Sequence, residues 1–226
     1  MIYFDPMYFL IIAPAVLLGL WAQWRISASY GRAQQMAAPL SGAAAARHIL
    51  DSAGLDNVEI EQIGGHLSDH YDPRHKVLRL SPEVYNSRTL AAVGIAAHEA
   101  GHAIQDARAY VPLVVRNAAV PVAGFGSNVG ILLIILGAIF SQWLVWVGIG
   151  LFAAVVFFQV VNLPVEFNAS SRAKAQLLQL GIVGPNEMVY VDRVLGAAAL
   201  TYVAATIQAI LTLLYLVLRF TSGSRD

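Results

Sequence analysis

Of the 226 residues of this chain, 58% are hydrophobic and 12% are charged. Soluble domains carry about 25% charged residues. The composition therefore argues against an ordinary soluble domain and for a membrane protein. Lysine and arginine together number 14, and so do aspartate and glutamate, which leaves no net positive charge to attract nucleic acid and excludes it as an expected partner. Cysteine is absent, so disulfides are excluded and any metal must be bound by histidine, aspartate or glutamate.

Four apolar segments have the length of membrane-spanning helices, for which a bilayer requires roughly 17–25 residues. The first, residues 7–24, is preceded by an acidic residue and by no basic region, so we interpret it as a retained span and not as a cleaved signal peptide. Residues 120–140 and 144–161 flank a short polar break, which predicts a tight helical hairpin. Residues 194–220 form the fourth predicted span.

The polar segment after the first span predicts a small α+β domain. Serine is a favourable helix cap, glycine pairs and Asp-Pro mark turns, and short alternating apolar runs are typical of strands. The predicted elements are, in chain order, a helix over residues 43–53 capped by Ser41, strands at residues 58–61, 66–71 and 76–80, a helix that begins after Ser81, and a helix over residues 87–109.

The basic residues predict the orientation of the chain in the membrane. Twelve of the 14 lysines and arginines lie in the two polar segments, between residues 25 and 116 and between residues 172 and 193. Because basic residues accumulate on the cytoplasmic side of membranes, both segments are expected to face the cytoplasm, where they can build one site. The predicted fold is a mainly α membrane protein with four transmembrane helices and a small cytoplasmic α+β domain. The expected boundaries are 1–24 for the first transmembrane helix, 25–117 for the cytoplasmic domain, 118–165 for the hairpin, 166–193 for a cytoplasmic helix, 194–220 for the last transmembrane helix and 221–226 for a tail.

Residues 98–102 read His-Glu-Ala-Gly-His and carry the strongest chemical signal in the chain. On a helix, histidines four residues apart lie on one face, so His98 and His102 can share a zinc ion. Glu99 can then take a proton from a water molecule that zinc activates for attack on a peptide bond. The pattern predicts a zinc-dependent peptidase with Zn²⁺ as its cofactor and Glu99 as its catalytic base.

The alternative function is a non-proteolytic membrane scaffold or regulator that binds zinc only for folding. A structural zinc site is normally closed by four protein ligands. Here three candidate ligands can be named, His98, His102 and, at the end of the third predicted span, Glu166, and a separate carboxylate, Glu99, is placed to activate water. The sequence therefore favours the enzyme.

Glu166 stands out as a candidate third ligand because it lies at the cytoplasmic end of the third predicted span. A carboxylate at that depth is costly unless it has a partner. A metal ion is one such partner, and Arg172 is another that would make Glu166 an ordinary interfacial acid. The other histidines also remain open as ligands: His48, His66, His70 and His75.

Three segments resemble one known family. They are AAHEAGHAIQDA at residues 96–107, LPVEFNAS at residues 163–170, and Asp69–Arg74 with the strand that follows it. Together with the spacing of the spans, they make the chain similar to the bacterial YugP-type membrane zinc metallopeptidases. More broadly, it resembles the group that contains the heat-shock protease HtpX and the CAAX prenyl protease.

This resemblance implies a zincin-like cytoplasmic domain, with His98, His102 and Glu166 as zinc ligands and Glu99 as general base. It implies an endopeptidase of the bacterial cytoplasmic membrane whose active site faces the cytoplasm. Its partners would be the lipid bilayer and a polypeptide substrate, which is expected to be a membrane protein. It also implies that the strand near residues 77–81 is the sheet edge to which extended substrate adds.

One position departs from the pattern of the broader family. Four residues after the ligand glutamate that family has an aspartate, which supports a histidine ligand, whereas this chain has Ser170. Asn168 or Asp106 could supply that hydrogen bond instead. The group that stabilises the oxyanion of the reaction is also open, and the sequence leaves four candidates for it: Arg172, His70, Tyr71 and Tyr190.

Overall fold

The computed structural model describes residues 5–66 and 68–222. The described chain is mainly helical and contains one small sheet, as the sequence predicts. The helices are α1 (Pro6–Gln34), α2 (Gly42–Ser52), α3 (Pro82–Asn86), α4 (Leu90–Ala107), α5 (Val111–Phe140), α6 (Gln142–Gln179) and α7 (Met188–Ser222), and the strands are β1 (Glu59–Gln62), β2 (His70–Asp72) and β3 (Val77–Leu80).

The chain divides into two compact units. The first comprises residues up to Ala22, residues Val114–Pro164 and residues from Leu200 onward. The second comprises residues Gln23–Leu113 and Val165–Ala199.

Four helices, α1, α5, α6 and α7, are long and apolar enough to cross a membrane, which confirms the predicted number of candidate spans. In the first unit, large apolar side chains such as Leu10, Ile139 and Phe140 are exposed by 69%, 70% and 75%. Exposing so large an apolar surface to water costs free energy, whereas exposing it to lipid does not. The helices also extend beyond the predicted apolar segments, because backbone hydrogen bonding continues into polar sequence. Helix α6 contains Pro164 in its interior and continues to Gln179.

The predicted hairpin forms between α5 and α6, and glycines allow the two backbones to touch. A Cβ atom added to Gly126 would lie 2.5 Å from the carbonyl oxygen of Leu151, and one added to Gly148 would lie 2.6 Å from the carbonyl oxygen of Gly130. Small residues of this kind permit close helix packing in membranes. The polar break around Ser141 is reduced to a single residue between the two helices.

Hydrogen bonds within the first unit bring together the chain segments expected on the far side of the membrane. The Tyr215 hydroxyl donates to the Asp5 carboxylate at 2.5 Å, and the Gln142 side-chain amide donates to the carbonyl oxygen of Phe220 at 3.3 Å. The start of α1, the turn between α5 and α6 and the end of α7 therefore lie at one end of this unit. Four successive crossings of a membrane require this arrangement.

The second unit contains the sheet, whose strand order is β1-β3-β2. Strand β3 pairs in parallel with β1 and antiparallel with β2. The prediction that the strand near residues 77–81 is an edge was therefore wrong. Val77, Leu78 and Leu80 are buried, which suits a central strand, whereas β1 carries exposed Glu59 and Glu61, as edge strands commonly do.

Local caps place the helices of the second unit close to their predicted positions. The Ser41 hydroxyl accepts the N–H of Ala44 at the start of α2. Helix α3 begins after Ser81 as predicted, but the Ser81 hydroxyl bonds the Asp69 carboxylate at 3.1 Å instead of capping the helix. Helix α4 begins three residues later than predicted, where the Thr89 hydroxyl accepts the N–H of Ala92.

Helices α4 and α6 are in close backbone contact at Gly101. A Cβ atom added there would lie 2.7 Å from the carbonyl oxygen of Ala169 and 3.3 Å from its Cα atom. The backbone of α6 therefore occupies the space beside this glycine. A glycine at this position therefore sets the distance between the two helices.

We predict that Gly101→Ala lowers the midpoint of thermal unfolding of the detergent-solubilised protein. The extra methyl group meets backbone, and overpacking of this kind costs about 1–3 kcal/mol, which outweighs the roughly 1 kcal/mol gained in helix propensity. Gly196→Ala is the matched control, because a Cβ atom on this glycine of α7 has no heavy atom within 4 Å. Equal midpoints for the two variants would contradict the close approach.

Candidate metal centre

The His-Glu-Ala-Gly-His segment lies in the second half of α4, and the packing of that helix holds it rigidly. Val93, Ala96, Ala97 and Ala100 are fully buried, so α4 is anchored in the core of the second unit. The rings of His98 and His102 project one helical turn apart, with centroids separated by 4.8 Å and planes inclined by 87°. Their placement on one face is the one predicted from the four-residue spacing.

Glu166 of α6 completes a cluster with the two histidines. Its Oε2 atom lies 3.3 Å from Nε2 of His98 and 3.8 Å from Nε2 of His102. One ligand atom from each residue lies within 4.8 Å of the others, so among the described residues this group could hold a metal ion. Glu166 is only 5% exposed and His102 only 7%, which shields the cluster from solvent.

Gln105 holds the imidazole of His102 in one orientation. Its side-chain nitrogen donates to the carbonyl oxygen of Val165 at 2.8 Å and to Oδ1 of Asn168 at 3.0 Å. The side-chain oxygen of Gln105 is therefore the atom that faces Nδ1 of His102, at 2.9 Å. It accepts a hydrogen bond from the proton on Nδ1. This network assigns the Nδ1–H tautomer to His102, which leaves the lone pair of Nε2 directed at the cluster.

Ser170 supports the other imidazole. Its hydroxyl oxygen lies 3.1 Å from Nδ1 of His98 and is buried. Ser170 follows Glu166 by one helical turn, so a single face of α6 supplies both a candidate ligand and a support. The position that departs from the broader family is therefore still hydrogen-bonded to a histidine.

Gln105 was missed by the sequence analysis, and the two supports that it considered have other roles. Asp106 accepts the Tyr71 hydroxyl at 2.7 Å and pairs with Lys76. Asn168 acts on His102 through Gln105. The position of Gln105, three residues after His102 on the same helix face, is the signal that could have identified it.

The electrostatics of the cluster favour a cation. Burial opposes the charged form of His98, but its hydrogen bond to Glu166 and the negative charges of Glu99 and Glu166 together raise its pKa above the ordinary value. A negative potential that favours a proton on this ring also favours a metal cation. Two imidazole nitrogens and one carboxylate oxygen are the three-ligand donor set typical of catalytic zinc sites. The residues therefore fit zinc.

Glu99 lies beside the cluster and is not a member of it. Its Oε2 atom accepts the backbone N–H of Tyr71 at 3.1 Å. The pKa of the Glu99 carboxyl is raised to about 7: burial raises it most, the charge of His98 and the N–H of Tyr71 lower it, and the charges of Glu166 and Asp69 raise it. A carboxyl group with this pKa can take up and release a proton near neutral pH.

Most of the remaining candidates are bonded elsewhere in the protein. His66 pairs with Glu83 at 2.8 Å and His75 with Asp72 at 2.6 Å, and neither joins the cluster. Of the candidates for stabilising an oxyanion, the Tyr71 hydroxyl is bonded to Asp106, and Nε of Arg172 donates to Asn168 at 2.7 Å. Arg172 is therefore linked to His102 by a chain of hydrogen bonds through Asn168 and Gln105.

A helical chain with four candidate spans and a buried His-His-Glu cluster has the features of a membrane zinc metallopeptidase. Residues 8–221 match the family model described as "putative neutral zinc metallopeptidase", and the chain belongs to this family. It is also similar to the "Putative membrane protease YugP" of Bacillus subtilis (strain 168), with 43% identity over 221 residues that cover 96% of this chain and 98% of that protein. No solved structure matches the chain. The family expected from the three sequence segments is confirmed.

Proposed function

We propose that this protein is a zinc-dependent endopeptidase that cleaves membrane or membrane-near polypeptides. His98, His102 and Glu166 hold the zinc ion, and Glu99 is the general base. The observation that carries the proposal is the arrangement of four side chains. Three of them converge within 4.8 Å, and the fourth, Glu99, stands next to them with its own hydrogen-bond donor.

Zinc, when bound, supplies the Lewis-acid chemistry that acidifies a water molecule and polarises the scissile carbonyl. The protein residues do the rest. The backbone N–H of Tyr71 holds Oε2 of Glu99, so Oε1 is the atom that takes the proton of the attacking water. Glu99 then returns this proton to the leaving amine nitrogen. Gln105 and Ser170 keep the two imidazoles in the orientation that this chemistry requires.

The number of ligands supports an enzyme over a non-proteolytic scaffold. Structural zinc sites are normally closed by four protein ligands, whereas catalytic sites have three and an open position. Three candidate ligands converge among the described residues. A fourth side chain beside them, the carboxyl group of Glu99 with its raised pKa, has a use in hydrolysis and none in a purely structural site.

We predict that Glu99→Gln retains zinc but loses hydrolysis by at least about a hundredfold, because general base catalysis contributes roughly that much. Zinc is measured by mass spectrometry on protein purified in mild detergent, and hydrolysis is measured with fluorescein-labelled casein. His98→Ala should lose both zinc and activity. Glu59→Gln, on the exposed strand β1, is the matched control and should retain both. Undiminished cleavage by Glu99→Gln would refute the proposed base.

We further propose that the protein lies in a bacterial cytoplasmic membrane with its metal centre on the cytoplasmic side. The four apolar helices support an integral membrane location. The concentration of 12 of the 14 basic residues in the two polar segments supports the orientation.

Because the chain lacks cysteine, single cysteines can report this orientation. Ser141 lies in the turn between α5 and α6, Asn57 lies in the turn before β1, and both are exposed. In right-side-out spheroplasts, a membrane-impermeant maleimide should label Ser141→Cys. It should label Asn57→Cys only after the membrane is permeabilised. The opposite pattern would reverse the orientation.

A further inference from the structure

Tyr71 contacts α4 at two points that lie on either side of His102. Its backbone N–H donates to Oε2 of Glu99 at 3.1 Å, and its hydroxyl donates to Oδ2 of Asp106 at 2.7 Å. Glu99 and Asp106 are seven residues apart, which is about two helical turns, and so they share a face of the helix. One residue of the sheet therefore spans the part of α4 that carries the proposed base and one proposed ligand.

Strand β2 needs such an attachment because its own pairing is limited. It contains only three residues, His70–Asp72, and it pairs with β3 on one side only. The N–H of Tyr71 points at Glu99 and not at β3, so Tyr71 and Leu78 form a non-hydrogen-bonded pair of the ladder. Tyr71 thus supplies two hydrogen bonds that join β2 to α4.

Of the two bonds that Asp106 accepts, the one from Tyr71 contributes more. Lys76 also donates to Asp106, but its side chain is 52% exposed, and an exposed ion pair contributes little. The Tyr71 bond is part-buried and is made to a charged acceptor, which strengthens it. Burial and the charge of Asp106 raise the pKa of the Tyr71 hydroxyl well above its usual range, so it remains a neutral donor.

We propose that Tyr71 is a positioning residue for the proposed peptidase reaction. Its hydroxyl, bonded to Asp106, holds β2 against α4, and the backbone N–H of the same residue thereby holds the Glu99 carboxylate in the orientation that takes a proton from water. This inference rests on the proposed function. It assigns Tyr71 a role through Glu99 and not a contact with substrate.

The proposal predicts a loss in kcat without a loss of zinc. In Tyr71→Phe the N–H of residue 71 is no longer fixed, so Glu99 loses its orientation, whereas the three proposed zinc ligands keep their own supports. We expect kcat for fluorescein-labelled casein to fall about tenfold, the amount expected for one charge-assisted hydrogen bond. KM and the zinc content of the purified protein should remain those of the native protein.

Asp106→Leu and the double variant show whether the two residues act as a pair. Asp106→Leu should lower kcat as much as Tyr71→Phe does, and the double variant should be no worse than either single variant, because all three lack the same bond. Asp106→Asn keeps an acceptor for the hydroxyl and should recover most of kcat. Tyr85→Phe is the matched control and should match the native protein, since the Tyr85 side chain lies on α3 and is likewise half-buried.

Each other outcome overturns the proposal in a distinguishable way. Native kcat in Tyr71→Phe, additive losses in the double variant, or a raised KM with native kcat would each show that the pair does not position Glu99. Loss of zinc from Tyr71→Phe would show that the residue supports the metal centre instead. If the native protein binds zinc but shows no hydrolysis that depends on Glu99, the proposed function fails and the positioning role fails with it.

Discussion

The backbone contact between α4 and α6 at Gly101 and Ala169 is the constraint on which the candidate metal centre depends. The two histidines belong to one helix and Glu166 to the other, and they are separated by more than sixty residues of sequence. Their ligand atoms converge within 4.8 Å because no side chain separates the helices at the point of contact. A larger residue at position 101 would push apart the elements that carry the cluster.

The same pair of helices also orients the cluster. Helix α6 presents Glu166 to the two imidazoles and, one turn later, places Ser170 behind His98. Helix α4 places Gln105 behind His102, and Gln105 is held in turn by Asn168 of α6. Each imidazole is thus bonded at Nδ1 and directs Nε2 towards the cluster, which is how proteins commonly orient histidine for a metal.

Much of this arrangement could be predicted from the sequence, since it depends on local patterns. The four apolar segments gave the candidate spans, and the spacing of His98 and His102 placed them on one helix face. Glu166 could be nominated because a carboxylate at the end of a span needs a partner. The family followed from short segments around these same residues.

The parts that could not be predicted depend on contacts between residues distant in sequence. Nothing local distinguishes a central strand from an edge strand when both are short, so β3 was placed wrongly. The support from Gln105 depends on α6 supplying acceptors more than fifty residues away. Asp106 lies one helical turn after His102 on α4. Its carboxylate is instead hydrogen-bonded to Tyr71 of β2 and to Lys76 of the turn between β2 and β3.

The zinc content of the native protein and of Glu166→Ala tests the central claim most directly, since it requires no knowledge of the substrate. Both proteins are purified in mild detergent, loaded with zinc and freed of excess metal, and Glu59→Ala serves as the exposed control. The account predicts about one zinc ion per chain in the native protein and the control, and a strong reduction in Glu166→Ala. A native protein without zinc, or a Glu166→Ala protein that retains it fully, would contradict the proposed His-His-Glu centre.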